Sequence, residues 1–215
     1  MLRELLGLTR LKALADPSKV LWVSPSAVSF YTEFWTKRLK GTPIMGGKWD
    51  LRTSPIAEHP TFKGLYEHFH NGVVWREAAM FNTPGFTYLQ RPETFAAKCK
   101  QRDALYRSIV ERGLLPDFTP EAEDRENFNE GEIRNITIHI GRNGELIFAG
   151  RGWHRLSIAK ILGLESIPVQ VLLRHQSWQQ VREEIAATPK HDELSERTRS
   201  HLHHPDLLDL VPGPL

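Results

Sequence analysis

The stretch that decides the fold covers residues 136–173 and reads ITIHIGRNGELIFAGRGWHRLSIAKILGLESIPVQVLL. Its first five residues alternate isoleucine with Thr137 and His139, which is the pattern of a strand buried on one face. Asn143-Gly144 follows, and this dipeptide is a strong signal for a tight hairpin turn. Because the apolar Leu-Ile-Phe run comes directly after it, the sequence predicts a β-hairpin whose second strand covers residues 145–148.

A helix and a further strand complete this stretch. Apolar residues recur at helical spacing from Trp153 to Leu162, and Gly163 is placed to end the helix. The run at 167–173 is almost continuously apolar, which is typical of a strand buried on both faces. We therefore predict an α+β fold whose core is a small mixed sheet.

The rest of the chain is predicted to surround this core. Residues 1–130 are interpreted as a helical N-terminal elaboration, residues 131–187 as the core, and residues 188–215 as a polar, His-rich C-terminal tail. The clearest outer helix covers residues 93–112, and its apolar stripe includes Cys99, which we expect to be a buried, inert thiol. Shorter elements are predicted at 1–15, 61–69, 75–81 and 177–186 as helices and at 20–23 as a strand.

The composition limits the classes of protein to which this chain can belong. The chain has 215 residues, a formal net charge of +2 and one cysteine, so we expect neither a disulfide framework nor a thiolate zinc site. The N-terminus lacks the continuous apolar segment of a signal peptide, and no run is long enough for a membrane-spanning helix. These features predict a cytoplasmic protein without a transmembrane segment.

The segment from Gly150 to Arg155 is where the sequence indicates chemistry. A strand, a glycine turn and a helix N-terminus follow one another, and this order presents backbone N–H groups to an anion. Gly150 and Gly152 would allow close approach, and Arg151, His154 and Arg155 add side-chain donors. Arg155 could bind phosphate oxygens with two donors, and His154 could donate a hydrogen bond or act as acid or base. The alternative is a structural turn with a solvated arginine and a capping histidine.

Further candidates lie on either side of the first core strand. A carboxylate is needed to activate the attacking group in phosphoryl transfer, and Glu132 is the best placed by sequence order, ahead of Glu130. Arg142 is a secondary candidate for phosphate contact, and His139 could face the same cleft. The alternatives are a surface acid for Glu132 and an exposed strand histidine for His139.

Three more groups of polar residues leave alternatives open. Residues 48–50, Lys-Trp-Asp, could contact a ligand, or could form a turn with a buried Trp49 and with Asp50 as a helix N-cap. Arg174 and His175 could add cations at the carboxyl end of their strand, where ligands of open sheets bind. The cluster of His201, His203, His204 and Asp206 has the composition of a metal site, but without a firm third ligand we predict no zinc.

The motifs of the core resemble those of the ParB/sulfiredoxin-like superfamily. The resemblance rests on Ala149-Gly-Arg-Gly-Trp-His-Arg155, the following Leu-Ser-Ile-Ala-Lys-Ile-Leu-Gly-Leu164, and Ile167-Pro-Val-Gln-Val171, over about 45 residues. Flanking features are similar to ParB-like proteins of unassigned function, namely Gly46-Gly47-x-Trp49-Asp50, Trp75, Leu105-Tyr106, Arg174-His175-x-x-Trp178 and His204-Pro205-Asp206-Leu207.

The resemblance implies a nucleotide or phosphate ligand at the turn of residues 150–155. Members of the superfamily hydrolyse CTP, use ATP to repair sulfinic acid or transfer phosphoryl groups. The chain departs from the sulfiredoxin pattern because Trp153 stands where the catalytic cysteine would be. It departs from partition-type ParB proteins because the turn lacks their acidic residue and only about 40 residues follow the core. Sulfiredoxin activity and sequence-specific DNA clamping are therefore not expected.

The preferred hypothesis is a protein that binds a nucleoside di- or triphosphate, or a phosphorylated small molecule, at this turn. If the protein is an enzyme, phosphoryl transfer or nucleotide hydrolysis with Mg²⁺ is the expected reaction. A nucleic-acid-binding or nuclease-like protein and a non-catalytic interaction module remain as alternatives.

Overall fold

The computed structural model describes residues 13–15, 19–34, 43–84, 91–116 and 135–211. Within these ranges the chain forms a mixed sheet of seven strands together with helices, so the predicted α+β class is confirmed. No helix in them is long and apolar enough to cross a membrane.

Most elements are short. The strands are β1 (Val20–Val23), β2 (Phe30–Tyr31), β3 (Ile44–Met45), β4 (Ser54–Pro55), β5 (Ile136–Ile140), β6 (Leu146–Phe148) and β7 (Ile167–His175). The helices are α1 (Pro60–Phe69), α2 (Ala79–Asn82), α3 (Pro92–Arg112), α4 (Trp153–Ile161), α5 (Gln176–Ala187) and α6 (Glu196–Arg199). Short 3₁₀ turns lie at Pro25–Ala27, Trp49–Leu51, Ile56–Glu58, His191–Glu193 and Pro205–Leu207.

The sheet is organised around the predicted hairpin and β7. The strand order is β1-β7-β5-β6-β2-β4, and β3 also pairs with β7. β5 and β6 pair in antiparallel fashion, whereas β7 runs parallel to β5, with Ile136 opposite Val169. Helix α4 makes the crossover connection that a parallel pair requires. Because β5 and β7 lie inside the sheet, both are buried on both faces, as expected for parallel strands.

Helix α4 packs between the sheet and two outer helices. Leu156, Ile158 and Ala159 have no exposed surface and belong to the main apolar core. α1 and α3 both pack against α4 from the N-terminal region of the chain. This arrangement brings the start of α1 to the start of α4, which is where the glycine turn lies.

The prediction that β5 is buried on one face is wrong. All five of its residues are buried, and His139 has no exposed surface. The Nε2 atom of His139 lies 3.3 Å from the carbonyl oxygen of Phe34, and Trp49 packs edge-on against the imidazole. The N-terminal region therefore covers the face that a hairpin alone would leave to solvent.

The two outer regions also differ from their predicted character. The N-terminal region is not only helical, because β1 to β4 lie in it and join the sheet. The C-terminal region is not a polar tail, because it packs on the core through buried apolar side chains, which are Leu194, Leu202, Leu207 and Val211. The helix predicted at 75–81 is shorter, with only Ala79–Asn82 helical. Most of the helix predicted at 1–15 lies outside the described residues.

Candidate anion-binding site

The glycine turn between β6 and α4 is held against the first residues of β5. The amide of Ala149 donates to the carbonyl oxygen of Thr137 over 2.9 Å, and the Thr137 amide donates to the carbonyl of Arg151 over 3.1 Å. The Arg151 amide donates in turn to the Thr137 side-chain oxygen over 3.2 Å. The turn therefore has a fixed conformation, as a preorganised binding loop requires.

Gly152 has a conformation and surroundings that exclude a side chain. Its φ is +92°, in the left-handed region that favours glycine, and it is the N-cap of α4. A Cβ atom placed there would lie 2.9 Å from Cγ1 and 3.1 Å from Cα of Ile136, and 3.4 Å from Nη2 of Arg155. The turn thus approaches the β5 backbone closely, and the guanidinium of Arg155 lies next to it.

The first turn of α4 has free backbone donors. The Leu156 amide bonds to the Gly152 carbonyl oxygen over 2.9 Å, as in a regular helix. The amides of Trp153, His154 and Arg155 precede it and donate to no described residue. No side chain in the described ranges caps this helix. These three N–H groups, with the positive end of the helix dipole, form a site that favours an anion.

Arg155 is a largely enclosed cation that has no acidic partner among the described residues. Its side chain is only partly exposed, and it forms no ion pair or hydrogen bond with the described residues. Burial lowers its pKa from 12.5 to about 10. The guanidinium remains charged at neutral pH, and no acid in the described part of the chain compensates for its desolvation.

His154 lies in a positive environment. Burial is the main reason that its pKa falls from 6.5 to about 3, and the charges of Arg102, Arg155 and His59 lower it further. The imidazole is therefore neutral at pH 7. In that state one ring nitrogen can donate a hydrogen bond without adding charge to the cluster.

His59 and Trp153 bring the starts of two helices together. Their rings stack at 3.7 Å between centroids and 12° between planes, and Tyr31 packs edge-on against both. His59 caps α1 by accepting a hydrogen bond from the Thr61 amide at its Nδ1 over 3.2 Å. Burial lowers its pKa to about 4, so it is also neutral at pH 7.

Arg142, the other predicted phosphate contact, lies elsewhere. It occupies the hairpin turn, at the far end of β5 from the glycine turn, and the five residues of this strand alone span about 13 Å. Its Nε and Nη2 donate to the Asp50 carboxylate over 2.8 Å each, and its amide also donates to Asp50. Burial alone would raise the pKa of Asp50, but these bonds hold it below its usual value. Arg142 is thus engaged in a structural ion pair.

Residues 48–50 form a structural turn in the described structure. Trp49 is buried, and its Nε1 donates to the carbonyl oxygen of Met45 over 3.2 Å. Asp50 is not the expected N-cap, because it accepts from Arg142 instead. A cleft of about 360 Å³ opens beside this turn and is lined by Thr32, Glu33, Phe34, Lys48, Trp49 and Arg52.

The candidate cations at the end of β7, and His204 of the C-terminal cluster, are structural as well. Arg174 is buried and pairs with Asp206, its Nε donating over 2.9 Å. His175 caps α5 by accepting from the Ser177 amide. His204 caps the following 3₁₀ turn by accepting from the amide of Asp206. Among the described residues, no group of three or more His, Cys, Asp or Glu could hold a metal ion.

The remaining predicted residues divide into two groups. Gly150, with a φ of +90°, and Arg151 lie in the turn beside Gly152, as the motif predicts. Glu130 and Glu132 lie outside the described residues. His59 and Arg102, whose charges act on His154, come from distant segments, so no local pattern predicts that they lie near this turn. The only local signal was His59-Pro60 at the start of a predicted helix.

No family model, no curated protein and no solved structure matches this chain.

Proposed function

We propose that the protein binds the phosphate group of a nucleotide or of another phosphorylated small molecule at the start of α4. The observation that carries this proposal is the enclosed guanidinium of Arg155. Among the described residues it has no acid partner, and it lies beside three amides that donate to none of them. Two other buried arginines are paired with carboxylates: Arg174 with Asp206, and Arg182 with Asp206 and Asp209. A bound phosphate would supply the missing partner for Arg155.

The neutral state of His154 fits binding better than proton transfer in the free protein. A general base works best with a pKa near the working pH, and a pKa of about 3 is far below it. A bound anion would raise this pKa by its opposite charge. We therefore assign His154 first to a hydrogen bond with a phosphate oxygen, and to acid–base chemistry only in the loaded site.

The resemblance to the ParB/sulfiredoxin-like superfamily supports a nucleotide as the ligand and extends the proposal. On that basis Glu132 would be the carboxylate that activates an attacking hydroxyl or water, with Mg²⁺ supplied by the nucleotide complex. The single cysteine, Cys99, is buried with a raised pKa, which fits a protein of the reducing cytoplasm.

Thermal unfolding in the presence of candidate ligands tests the proposal. The ligands are ATP, ADP, CTP, GTP, pyrophosphate and a short DNA duplex, each with and without Mg²⁺. We expect at least one phosphate compound to raise the melting temperature of the wild type, because a ligand that binds only the folded state stabilises it. Arg155→Gln should lose this shift.

Arg107→Gln is the matched control, because it removes one positive charge from an exposed site on α3. It should retain the full shift. If no phosphate compound shifts the wild type, or if Arg155→Gln responds like the wild type, the anion site is refuted. A shift with DNA alone that disappears at high salt would favour the nucleic-acid alternative instead.

A further inference from the structure

A second candidate ligand site lies on the face of the sheet opposite to α4. Trp49 packs on this face with Ile147 and Leu173. Phe148, the next residue of β6, packs instead against Trp153 at the start of α4. Because successive side chains of a strand point to opposite faces, Trp49 and α4 lie on opposite sides of the sheet. The cleft of about 360 Å³ that Trp49 lines therefore belongs to this second face and not to the anion site.

One wall of the cleft is aromatic and held in place by the fold. The ring of Phe34 stacks on that of Trp49, with 5.9 Å between centroids and 25° between planes. Trp49 packs edge-on against the buried imidazole of His139. The next residue, Asp50, holds the turn through its ion pair with Arg142. The wall is therefore preformed, and its planar apolar surface suits the ring of a ligand.

The rim of the cleft carries two cations that have no acidic partner among the described residues. Lys48 and Arg52 both line the cleft and are exposed. Neither side chain forms an ion pair or a hydrogen bond with a residue that the structure describes. Glu33 also lines the cleft, and within the described ranges no ion pair joins it to either cation. Two positive charges and one negative charge give the lining a formal net charge of +1.

The size, shape and charge of the cleft together define a class of ligand. Its volume of about 360 Å³ lies near the lower end of the ~300–1,000 Å³ of ligand pockets, which suits a molecule of one or two rings. The aromatic wall favours a flat ring, because aromatic pairs gain energy by stacking and by edge-on contact. One negative charge would balance the lining, whereas Glu33 would repel a second. A carboxylate has this charge, and its two oxygens match the fork of the Arg52 guanidinium.

We propose that this cleft binds a small aromatic carboxylate, with its ring against Phe34 and Trp49 and its carboxylate at Lys48 and Arg52. A phosphomonoester carries nearly two negative charges near neutral pH and is the poorer fit. Because the cleft and the start of α4 lie on opposite faces of the sheet, binding at one site does not require binding at the other.

Benzoate, benzamide and cyclohexanecarboxylate are the matched probes, because benzamide lacks the charge and cyclohexanecarboxylate lacks the aromatic ring. Their dissociation constants are measured by NMR titration of the full chain at pH 7.5 and low salt, from the indole N–H signal of Trp49. We expect benzoate to bind about threefold more tightly than either of the other probes. This is the size of effect that an exposed ion pair or an aromatic contact contributes.

Substitutions at the rim test which residues bind the carboxylate. Lys48→Gln and Arg52→Gln change exposed residues, so both variants should fold. Each should bring the affinity for benzoate closer to the affinity for benzamide, and the double variant should remove the difference. Arg107→Gln, which removes an exposed positive charge from α3, should bind benzoate like the wild type.

Three results would overturn the proposal. The first is a Trp49 signal that benzoate does not move in the wild type. The second is an equal affinity for benzoate and for either of the other probes. The third is binding of benzoate that the double variant retains in full. If Arg155→Gln loses that binding instead, the carboxylate occupies the anion site at the start of α4.

Discussion

Gly152 combines two requirements that only glycine meets, and the two can be separated by experiment. Its φ of +92° strains any other residue, and a Cβ atom placed there would meet Ile136 and the Arg155 guanidinium. Gly152→Ala should therefore destabilise the fold and displace the cation of the anion site. We expect a loss of more than about 1–2 kcal/mol in unfolding free energy, the cost of left-handed backbone alone. Urea unfolding and phosphate titration measure the two effects.

Gly150 supplies the matched control for this prediction. Its φ is +90°, but a Cβ atom placed there would meet nothing within 4 Å. Gly150→Ala should therefore show the backbone strain without the steric clash, and it should keep Arg155 in place. Equal effects of the two alanine variants on stability and on phosphate binding would show that the contact with Ile136 has no importance.

At the scale of single elements, the sequence predicts well those helices and strands that show a local apolar period. The bounds of α1, α3, α4 and α5 agree with the predictions within about two residues, because each has an apolar stripe of helical period. The β5–β6 hairpin was predicted from its Asn-Gly turn. β2, β3 and β4 were not predicted, since two residues are too few to show alternation and these strands depend on their partners.

In the candidate site too, the parts with a local sequence pattern could be predicted, and the parts that depend on packing could not. The glycine turn and the start of α4 could be predicted because they are contiguous in sequence. Arg102 and His59 could not, because packing of α3 and α1 against α4 brings them there. For the same reason the sequence did not show that Arg142 pairs with Asp50, which lies 92 residues away. Arg142 is therefore closer to the glycine turn in sequence than Arg102 is, but packing brings Arg102, and not Arg142, towards the start of α4.

The C-terminal segment is joined to β7 and α5 by one buried carboxylate. Asp206 has no exposed surface and accepts from Arg174 and from Trp178 Nε1, and Arg182 lies within 3.4 Å. Burial alone would raise its pKa, but the bonds and charges of the two arginines lower it. Asp206→Asn should therefore destabilise the protein by about 3–5 kcal/mol, because the buried Arg174 loses its counter-charge and Arg182 loses one of its two.

Chemical denaturation of Asp206→Asn, with Asp192→Asn as an exposed control, tests this prediction. The control should differ from the wild type by less than about 0.5 kcal/mol. A similarly small effect at Asp206 would mean that the C-terminal segment does not depend on this network.

At the scale of the whole molecule, the arginines discussed above differ in their pairing according to where they lie. The ends of β5 and β7 away from the glycine turn hold paired charges, Arg142 with Asp50 and Arg174 with Asp206. The glycine-turn end holds Arg155 without an acid partner. Paired charges hold a fold together, whereas an uncompensated cation in a desolvated place costs stability until an anion binds. This asymmetry is why we propose that an anion binds at the start of α4.

Three enclosed histidines make the stability of the whole molecule depend on pH. The pKa values of His59, His139 and His154 are lowered to about 4, 4 and 3, against 6.5 in the unfolded chain, mainly by burial. Between pH 6.5 and these lowered pKa values the unfolded state binds more protons than the folded state. The contribution of the three histidines to the free energy of unfolding is therefore complete above pH 6.5, and it is lost as the pH drops towards 4. His139 alone should account for up to about 3 kcal/mol of this loss, at 1.36 kcal/mol per unit.

Urea unfolding at pH 7.5, 5.5 and 4.5 measures this decline. His139→Gln should be less stable than the wild type at pH 7.5, because it changes a fully buried side chain, but its decline should be shallower. His203→Gln, at an exposed position, should follow the wild-type curve. The lowered pKa values of Asp50 and Asp206 lie below 3.8, so their protonation falls outside this window. A wild-type stability that is flat from pH 7.5 to 4.5 would show that these histidines are not held neutral by burial, and the same result would remove the assignment of His154 as a neutral donor in the anion site.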